Sequence, residues 1–410
     1  MNVLDIFKSF ANIPRCSGDT QKMRDFIVEW AKRYGYGVDV DAAGNLLVFK
    51  GKGDVVLQSH YDMVCVGRAP DIQIIEENGY LGAQNSTLGA DNGIGVAIML
   101  KLISEGIEAR YLFTNDEEIG LVGAKNLAFR LDAKKMINLD SEEFGNIYIG
   151  CAGGVDFEAK KRLYYQGEPK EVYEVELSFG GGHSGVDIDK DIPNAIKELA
   201  FLLSGKSVAH FKGGERINSI PANAKALLFE KIAGARKSDE KKRAFKTDII
   251  KPLLAFANGV RGWNKEFDIP QDSINLSIVK TDNSEFWVEV GARSMSQEGL
   301  KRLIVESEAF FEGFGFDVKT YGYYPPWEPK ISPFAKEVEK AYRKIYPDTG
   351  FKAIHAGLEC AIFAQKYPDM QIVSIGPDIE YPHSTKERVK ISTVEPLYRM
   401  VKELLCQRFS

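Results

Sequence analysis

The spacing of hydrophobic and polar residues predicts alternating strands and helices over the first third of the chain. Apolar positions recur at helical intervals in residues 2–12 and 20–34, and an apolar helix follows the glycines that begin at Gly89. Between these helices lie short apolar runs that end in polar or acidic residues: DVVLQSHYDMV, RYLFTNDEE and KMINLD. This repetition is typical of an α/β fold, in which ligands collect outside the ends of the strands.

The middle of the chain follows another pattern, which predicts a second domain of the α+β type. Amphipathic helices are expected in DIPNAIKELAFLLS and EGLKRLIVESEAFFEGFG, and a hairpin in SINLSIVKTDNSEFWVEVGARS. The basic run KSDEKKRAFKTDIIKPLLAF is interpreted as a solvated helix face. Because the strand MQIVSIG and a closing helix return to the opening pattern, the α+β domain is predicted to be an insertion. The predicted boundaries are residues 1–152 and 327–410 for the first domain and 153–326 for the inserted one.

The composition excludes several functional classes. The chain has 410 residues, which is longer than a single hydrophobic core usually supports. Its 44% hydrophobic and 27% charged residues are ordinary for globular proteins. A net charge of −5 provides no basic surface for nucleic acid or an anionic membrane. No apolar run approaches the ~20 residues that a membrane span needs. We therefore expect neither a nucleic-acid partner nor a membrane partner.

The cysteines and the N-terminus predict a reducing cytoplasmic location. The N-terminal residues lack the basic stretch and continuous apolar core of a secretory signal. The cysteines are odd in number and widely spaced, without a C-x-x-C pair, so neither a disulfide framework nor a thiolate metal site is expected. They are Cys16, Cys65, Cys151, Cys360 and Cys406.

Metal-ligand residue types follow several of the predicted strands. In His60-Tyr61-Asp62 the first and third side chains point to the same side of a strand, and a metal-bound imidazole normally donates its other nitrogen to a carboxylate. Alone, the pair is more typical of a structural His–Asp contact. Asp91 lies in a glycine-rich bend before a helix, where an ordinary N-cap is the simpler explanation. A phosphate loop is less suitable, because no Gly-Lys-Ser/Thr follows.

Three further segments complete the set of candidate ligands. Asn115-Asp116-Glu117-Glu118 places three acids side by side, which repel one another unless cations or solvent relieve them. Asp140 follows the strand MIN, and His383 follows the strand IVSIGP far downstream. Two histidines and three carboxylates at strand ends suit two divalent cations of the zinc type. Charge balance requires one bridging carboxylate, for which Asp91 is the natural candidate. One Glu of the triplet would then be a ligand and its neighbour a general base.

These segments, in this order, resemble the M20 family of co-catalytic metallopeptidases, and within it the Xaa-His (aminoacyl-histidine) dipeptidase branch. The resemblance covers most of the chain. It is carried by LQSHYDMV, STLGADNGIGVA, NDEEIGLVGAKNL, NLDSEEFGNIYIGCAGG, GGHSGVDI, NSIPANA, HAGLEC and IGPDIEYPHSTKERV. It implies a zinc-peptidase-like catalytic domain with a central mixed sheet, plus an inserted α+β lid domain. It also implies two divalent metal ions, with zinc expected and manganese or cobalt as alternatives.

The resemblance assigns roles to individual residues of the catalytic domain. Asp91 would bridge the metals, Asp62 would orient a ligand imidazole, and Glu117 would be the general base. One metal would take His60 and Asp140, and the other Glu118 and His383. A cis peptide bond between Asp91 and Asn92 is also implied. The implied metal ligands are His60, Asp91, Glu118, Asp140 and His383.

In the inserted domain, the resemblance implies residues that contact the substrate. His183 would hold the substrate or polarise its carbonyl, and a loop histidine that caps a turn is the less favoured alternative. Asn218 and Arg293 would contact the C-terminal part of the peptide, for which the guanidinium fork of Arg293 is suited. An ordinary strand-surface role is the alternative for both. Gly357 would provide a backbone contact.

The resemblance therefore implies a cytoplasmic metal-dependent dipeptidase that acts on short unblocked peptides and prefers Xaa-His. A metal-bridging water, activated by Glu117, would attack the peptide bond. Tripeptidase or N-acyl amino acid amidohydrolase activity is the alternative, followed by a non-catalytic metal-binding module. Serine hydrolysis through Ser184 is disfavoured because no G-x-S-x-G elbow is present. The inserted domain is shorter than is typical of the branch, which leaves the dipeptide preference and an implied homodimer through the lid open.

Overall fold

Residues 1–51, 53–282 and 284–406 are described by a computed structural model of the chain. The chain divides into two units. The first unit comprises Met1–Gly150, Pro329–Ala353 and Leu358–Ser410, and the second comprises Cys151–Glu328 and Ile354–Gly357.

Ten helices lie in the described ranges. They are α1 (Val3–Phe10), α2 (Gln21–Arg33), α3 (Ala90–Ser104), α4 (Val122–Lys125), α5 (Ala195–Leu202), α6 (Ile250–Ala255), α7 (Gln297–Gly313), α8 (Pro333–Tyr342), α9 (Glu359–Lys366) and α10 (Ile391–Cys406). Among these described residues, no helix is both long enough and apolar enough to cross a membrane.

The strands are numbered in chain order through both units. They are β1 (Gly37–Val40), β2 (Leu46–Phe49), β3 (Val55–His60), β4 (Ile74–Glu77), β5 (Tyr80–Ala83), β6 (Arg110–Thr114), β7 (Lys135–Asn138), β8 (Asn146–Cys151), β9 (Gly153–Arg162), β10 (Tyr165–Ser178), β11 (Gly182–His183), β12 (Val208–Gly213), β13 (Ser219–Ile220), β14 (Asn223–Leu228), β15 (Arg236–Phe245), β16 (Gly259–Asn264), β17 (Ile269–Thr281), β18 (Glu285–Ser294), β19 (Asp317–Tyr324), β20 (Gly350–Ile354), β21 (Gln371–Ser374), β22 (Ile379–Glu380) and β23 (Arg388–Lys390).

A mixed eight-stranded sheet forms the centre of the first unit, in the order β1-β2-β6-β3-β7-β21-β8-β20. The four strands β6, β3, β7 and β21 are parallel, whereas β1, β2 and β8 pair antiparallel with their neighbours. All six residues of β3 are buried, as expected for a parallel strand covered on both faces. The predicted α/β class with a central mixed sheet is confirmed. The carboxyl ends of the four parallel strands meet at one edge.

A small four-stranded sheet of the first unit positions two loops. Its order is β22-β23-β5-β4, and its neighbouring strands are antiparallel. The loop between β22 and β23 contains His383, and the segment after β5 leads into α3. Because β23 pairs directly with β5, these two segments leave neighbouring strands although about 300 residues separate them in the chain.

The second unit contains a nine-stranded antiparallel sheet in the order β15-β10-β14-β12-β17-β18-β9-β19, with β16 paired to β17. Its buried core includes Phe157 and Phe211 from the strands and Leu199, Leu300 and Phe311 from α5 and α7. The alternating burial of β18 shows the expected pattern of a sheet with one covered face.

The interpretation of the basic run as a helix face is wrong for residues 237–245, which lie in strand β15. The charged side chains find partners on the neighbouring strand β10: Arg236 Nε donates to Glu174 Oε1 at 2.8 Å, and Lys237 Nζ lies 2.7 Å from Glu171 Oε1. Such cross-strand ion pairs stabilise a strand where no apolar stripe is present.

The expectation that the cysteines form no disulfide is wrong for one pair. Cys16 and Cys65 are disulfide-bonded, with their Cα atoms 5.5 Å apart, a usual separation for such a bond. They lie 49 residues apart in the sequence and meet because Cys16 forms a parallel β-bridge with Met63. Long-range pairing of this kind leaves no signal in cysteine spacing.

Candidate active site

The candidate ligands of the first unit come from five separate stretches of the chain. His60 is the last residue of β3, the acidic triplet follows β6, and Asp140 follows β7. Asp91 lies in the first turn of α3, where it departs from helical geometry with φ −80° and ψ 109°. The first three stretches are close together because parallel strands end at the same sheet edge. The pairing of β23 with β5 brings the segments of Asp91 and His383 together.

Asp91 lies between the two histidines. Its Oδ1 is 3.1 Å from His60 Nε2, and its Oδ2 is 3.0 Å from His383 Nε2. His60 Nε2 is also 3.2 Å from Asp140 Oδ1, and His383 Nε2 is 3.0 Å from Glu118 Oε1. These side chains form two donor groups that share Asp91. One group contains His60, Asp91 and Asp140, and the other contains Asp91, Glu118 and His383. Within each group the donor atoms lie within 4.8 Å of one another.

Asp62 connects one histidine to the acidic triplet. It is fully buried, and its Oδ1 lies 3.4 Å from His60 Nδ1, a charge contact without hydrogen-bond geometry. Its carboxylate accepts hydrogen bonds from Ser17 Oγ at 2.7 Å and from the backbone amides of Glu117 and Glu118 at 3.0 and 3.3 Å. Burial raises the pKa of Asp62, but these bonds and the charge of His60 outweigh burial and lower it. Asp62 is therefore a carboxylate that connects His60 to the segment of Glu117 and Glu118.

The acids of this cluster strongly influence one another. Desolvation and the charge of Glu118 raise the pKa of Glu117 well above its ordinary range. Desolvation and the charge of Asp91 raise the pKa of Glu118 to about 7. Burial lowers the pKa of His383, but hydrogen bonds to Asp91 and Glu118 raise it to about 12. The pKa of His60 is raised in the same way by Asp140. Carboxylates outnumber imidazoles here, so the cluster lacks positive charge.

The donor set fits two divalent cations. Imidazole nitrogens and carboxylate oxygens are the ligands of zinc-type ions, and a carboxylate that presents one oxygen to each donor group is able to bridge two of them. Two dications would also relieve the repulsion among the clustered acids. The bond between Asp91 and Asn92 is cis, as the resemblance implied.

Metal-free protein is expected to become less stable as the pH rises from about 4.5 to 7. The folded-state pKa of Glu118 is about 7, above its ordinary value of 4.5, so the stability linked to its protonation is present below about pH 4.5 and is lost as the pH rises through 7. The loss amounts to roughly 3 kcal/mol. The raised histidine pKa values act in the same direction. Thermal unfolding after chelation should show a falling midpoint, and zinc-loaded protein should show a smaller slope. A rising midpoint in chelated protein would contradict the charge assignment.

Two acids beside this cluster were not predicted from the sequence. Desolvation and the charge of Asp91 raise the pKa of Glu142, two residues after Asp140. Glu359 begins α9 and is fully buried, and its Oε2 accepts hydrogen bonds from Gln58 Nε2 and Thr114 Oγ1, both at 2.6 Å. Desolvation raises the pKa of Glu359 to about 8. The sequence signal for Glu359 was a single acid within the hydrophobic run GLECAIF.

The predicted substrate residues lie in the second unit. His183 is half-buried, and its Nδ1 accepts hydrogen bonds from the amides of Gly185 and Val186 at 3.2 Å each. The ring therefore caps a turn, and in its neutral form it carries its proton on Nε2. The carbonyl oxygen of Asn218 accepts a 2.8 Å hydrogen bond from the amide of Ser184, so the segments of Asn218 and His183 are neighbours.

The same unit brings Arg293 and Gly357 to one tyrosine. Arg293 Nη1 donates to the hydroxyl of Tyr324 at 2.7 Å. A Cβ on Gly357 would lie 2.9 Å from Cε2 of the same tyrosine, so the close approach requires glycine. Nearby His355 is buried against Ser273, and burial together with the charge of Arg293 lowers its pKa to about 3. Tyr324 was not among the predicted site residues.

The fold and the two donor groups are those of metal-dependent hydrolases, a class in which paired cations act on one substrate. Residues 56–407 match the model of peptidase family M20/M25/M40. The chain belongs to this family and is a hydrolase that acts on peptide bonds. The family resemblance inferred from the motifs is confirmed.

Individual relatives are similar over nearly their whole length. The chain is 31% identical over 466 residues to the cytosol non-specific dipeptidase of Escherichia coli (strain K12), covering 98% of this chain and 96% of the relative. The structure of aminoacylhistidine dipeptidase from Vibrio alginolyticus matches with a TM-score of 0.79 at 29% identity, over 99% of this chain and 96% of that one. A tripeptidase from Staphylococcus aureus matches with a TM-score of 0.64 at 18% identity, over 98% and 97%, which shows a shared fold alone.

Proposed function

We propose that this chain is a metal-dependent dipeptidase that hydrolyses unblocked dipeptides and prefers Xaa-His. The observation that carries the proposal is the position of Asp91, whose two oxygens face the histidines of two overlapping donor groups. Two divalent cations, with zinc expected and manganese or cobalt as alternatives, would bind there. Their ligands would be His60, Asp91, Glu118, Asp140 and His383.

The residues around the metals have distinct proposed roles. Bound cations would polarise the scissile carbonyl and lower the pKa of the attacking water. Glu117, which shares a donor group with His60 and Glu118, would accept the proton of that water and pass it to the leaving amine. Asp62 would keep His60 in the orientation that ligation requires, because it faces Nδ1 while Nε2 faces the acids.

The second unit is proposed as the lid that binds the substrate. The Nε2 proton of neutral His183 would donate to the substrate carbonyl. Arg293, oriented by Tyr324, would pair with the terminal carboxylate of the dipeptide. Asn218 and Gly357 would add polar and backbone contacts beside these two residues. The division into residues 1–152 and 327–410 for catalysis and 153–326 for the lid is part of this proposal.

Substrate class, location and assembly are proposed from the relatives. The dipeptide substrate class is supported by the E. coli non-specific dipeptidase, and the histidine preference by the Vibrio aminoacylhistidine dipeptidase. A cytosolic location is supported by the E. coli relative, whereas the Cys16–Cys65 disulfide is uncommon in a reducing compartment. A homodimer through the lid is proposed from the family resemblance alone.

A substrate panel tests the proposed activity. Zinc-loaded protein is expected to cleave free Xaa-His dipeptides with the highest kcat/KM, other dipeptides less well, and N-acetylated amino acids not measurably. Tripeptides should react more slowly, because the relatives that support the proposed activity are dipeptidases. Ninhydrin or chromatographic detection of released amino acids provides the measurement. Activity confined to tripeptides or to blocked substrates would support the alternative M20 activities instead.

A further inference from the structure

Glu387 is a buried acid in the β22–β23 loop, four residues after His383. Its Oε2 accepts hydrogen bonds from the amides of Leu88 and Gly89 at 2.8 and 2.9 Å. Its Oε1 accepts from the amides of Ala90 and Asp91 at 2.7 and 3.2 Å. One carboxylate thus binds four successive amides at the start of α3, where the helix dipole also favours negative charge.

Arg15 holds the same turn through the carbonyl group of Gly89. It is fully buried, and its Nη2 donates to the carbonyl oxygen of Gly89 at 2.6 Å, while Nη1 lies 3.4 Å from the carbonyl oxygen of Asp62. Gly89 has φ +70°, and a Cβ there would collide with the guanidinium of Arg15 and lie 2.7 Å from Met63 Sδ. Residues 88–91 are therefore held from two sides by charged groups.

We propose that Glu387 is a positioning residue that fixes Asp91 for metal bridging. The inference rests on the proposed two-metal site. Asp91 must present one oxygen beside His60 and the other beside His383, and its backbone is held by Glu387 directly. Because Glu387 and His383 share one loop, the carboxylate of Glu387 also fixes the spacing between Asp91 and His383. These two residues are ligands of the same proposed cation.

The decisive variant is Glu387→Gln, which preserves shape but places an NH2 group among amide donors. The matched control is Glu380→Gln at the end of β22, just before the same loop. Its partly exposed carboxylate contacts Arg388 and Tyr80. Full-length metal-free proteins are titrated with Zn²⁺ against a chromophoric chelator, and amide exchange of residues 88–91 is followed by mass spectrometry. Glu387→Gln should weaken zinc binding about 10- to 100-fold and accelerate exchange at residues 88–91. Glu380→Gln should match wild type in both.

The outcomes separate positioning from general structural support. Folded Glu387→Gln with wild-type zinc affinity would overturn the proposal, even if its melting temperature fell. If Glu387→Gln does not fold, Glu387→Asp retains the charge near Arg15 but is one methylene shorter. Its zinc affinity should also fall, and wild-type affinity would overturn the proposal. Failure of wild-type protein to bind zinc would refute the two-metal site, and this inference with it. Wild-type binding with an unchanged Glu387→Gln would refute only the role of Glu387.

Discussion

Replacing Glu117 by Gln is expected to lower kcat for a free Xaa-His dipeptide by about 10²- to 10⁴-fold, the usual contribution of a general base. Glutamine has nearly the same shape but cannot accept a proton from water. The carboxylate of Glu117 shares a donor group with His60 and Glu118, but it is not needed in either of the two groups that share Asp91. The variant should therefore retain two zinc ions per chain, as determined by elemental analysis, and a KM close to that of wild type.

The matched control for this experiment is Asp116→Asn. Asp116 lies next to Glu117 in the same acidic triplet, but its Oδ1 accepts a hydrogen bond from the amide of Gly18 at 2.7 Å. An asparagine oxygen is able to accept that bond, so turnover should remain within a few-fold of wild type. Unchanged turnover in Glu117→Gln would refute its role as the base. Equal losses in both variants would indicate that the loop was disturbed as a whole.

Replacing Asp91 by Asn is expected to reduce activity by roughly 10³- to 10⁵-fold, because catalytic metals contribute several kcal/mol to transition-state stabilisation. An asparagine side chain has one oxygen and an NH2 group that cannot bind a cation, so it cannot bridge. The two donor groups that share Asp91 would each lose a ligand, and zinc content should fall from two ions per chain to one or fewer. Equilibrium dialysis followed by elemental analysis measures the stoichiometry.

Asp71→Asn is the control for the removal of one carboxylate. Asp71 is exposed and contacts Arg68 with Oδ2 2.6 Å from Nη2, away from both donor groups. An exposed ion pair of this kind contributes little to stability, so the variant should bind two zinc ions and retain activity. If Asp91→Asn still binds two ions with wild-type affinity, Asp91 does not bridge, and the metals are held by the remaining ligands.

The elements around the site could be predicted because they depend on local patterns. The continuous apolar runs of β3, β6 and β7 predict buried strands, and the polar residues that follow them mark a sheet edge. Strand β15 could not be predicted in this way. Its charged residues form no apolar stripe, and its partners Glu171 and Glu174 lie 66 and 62 residues away in the chain.

The candidate ligands were identified by residue type, but their supports were not. Glu387 occurs in an ordinary charged segment, KERVK, and nothing in its spacing indicates four amide donors located nearly 300 residues earlier. The same holds for Arg15, Glu359 and Tyr324, whose partners come from other segments. A buried charge in a loop cannot be distinguished from a solvated one without knowledge of what packs against it.

By itself the sequence determined the family, the α/β class and the kinds of side chain available for metal and proton chemistry, because these depend on residue identity and short-range periodicity. Only the tertiary structure decided that Asp91 lies between a histidine 31 residues before it and another 292 residues after it. It also decided that Cys16 meets Cys65 and that Glu387 holds the turn containing Asp91. Such contacts arise from strand pairing and packing between distant segments, and no local pattern encodes them.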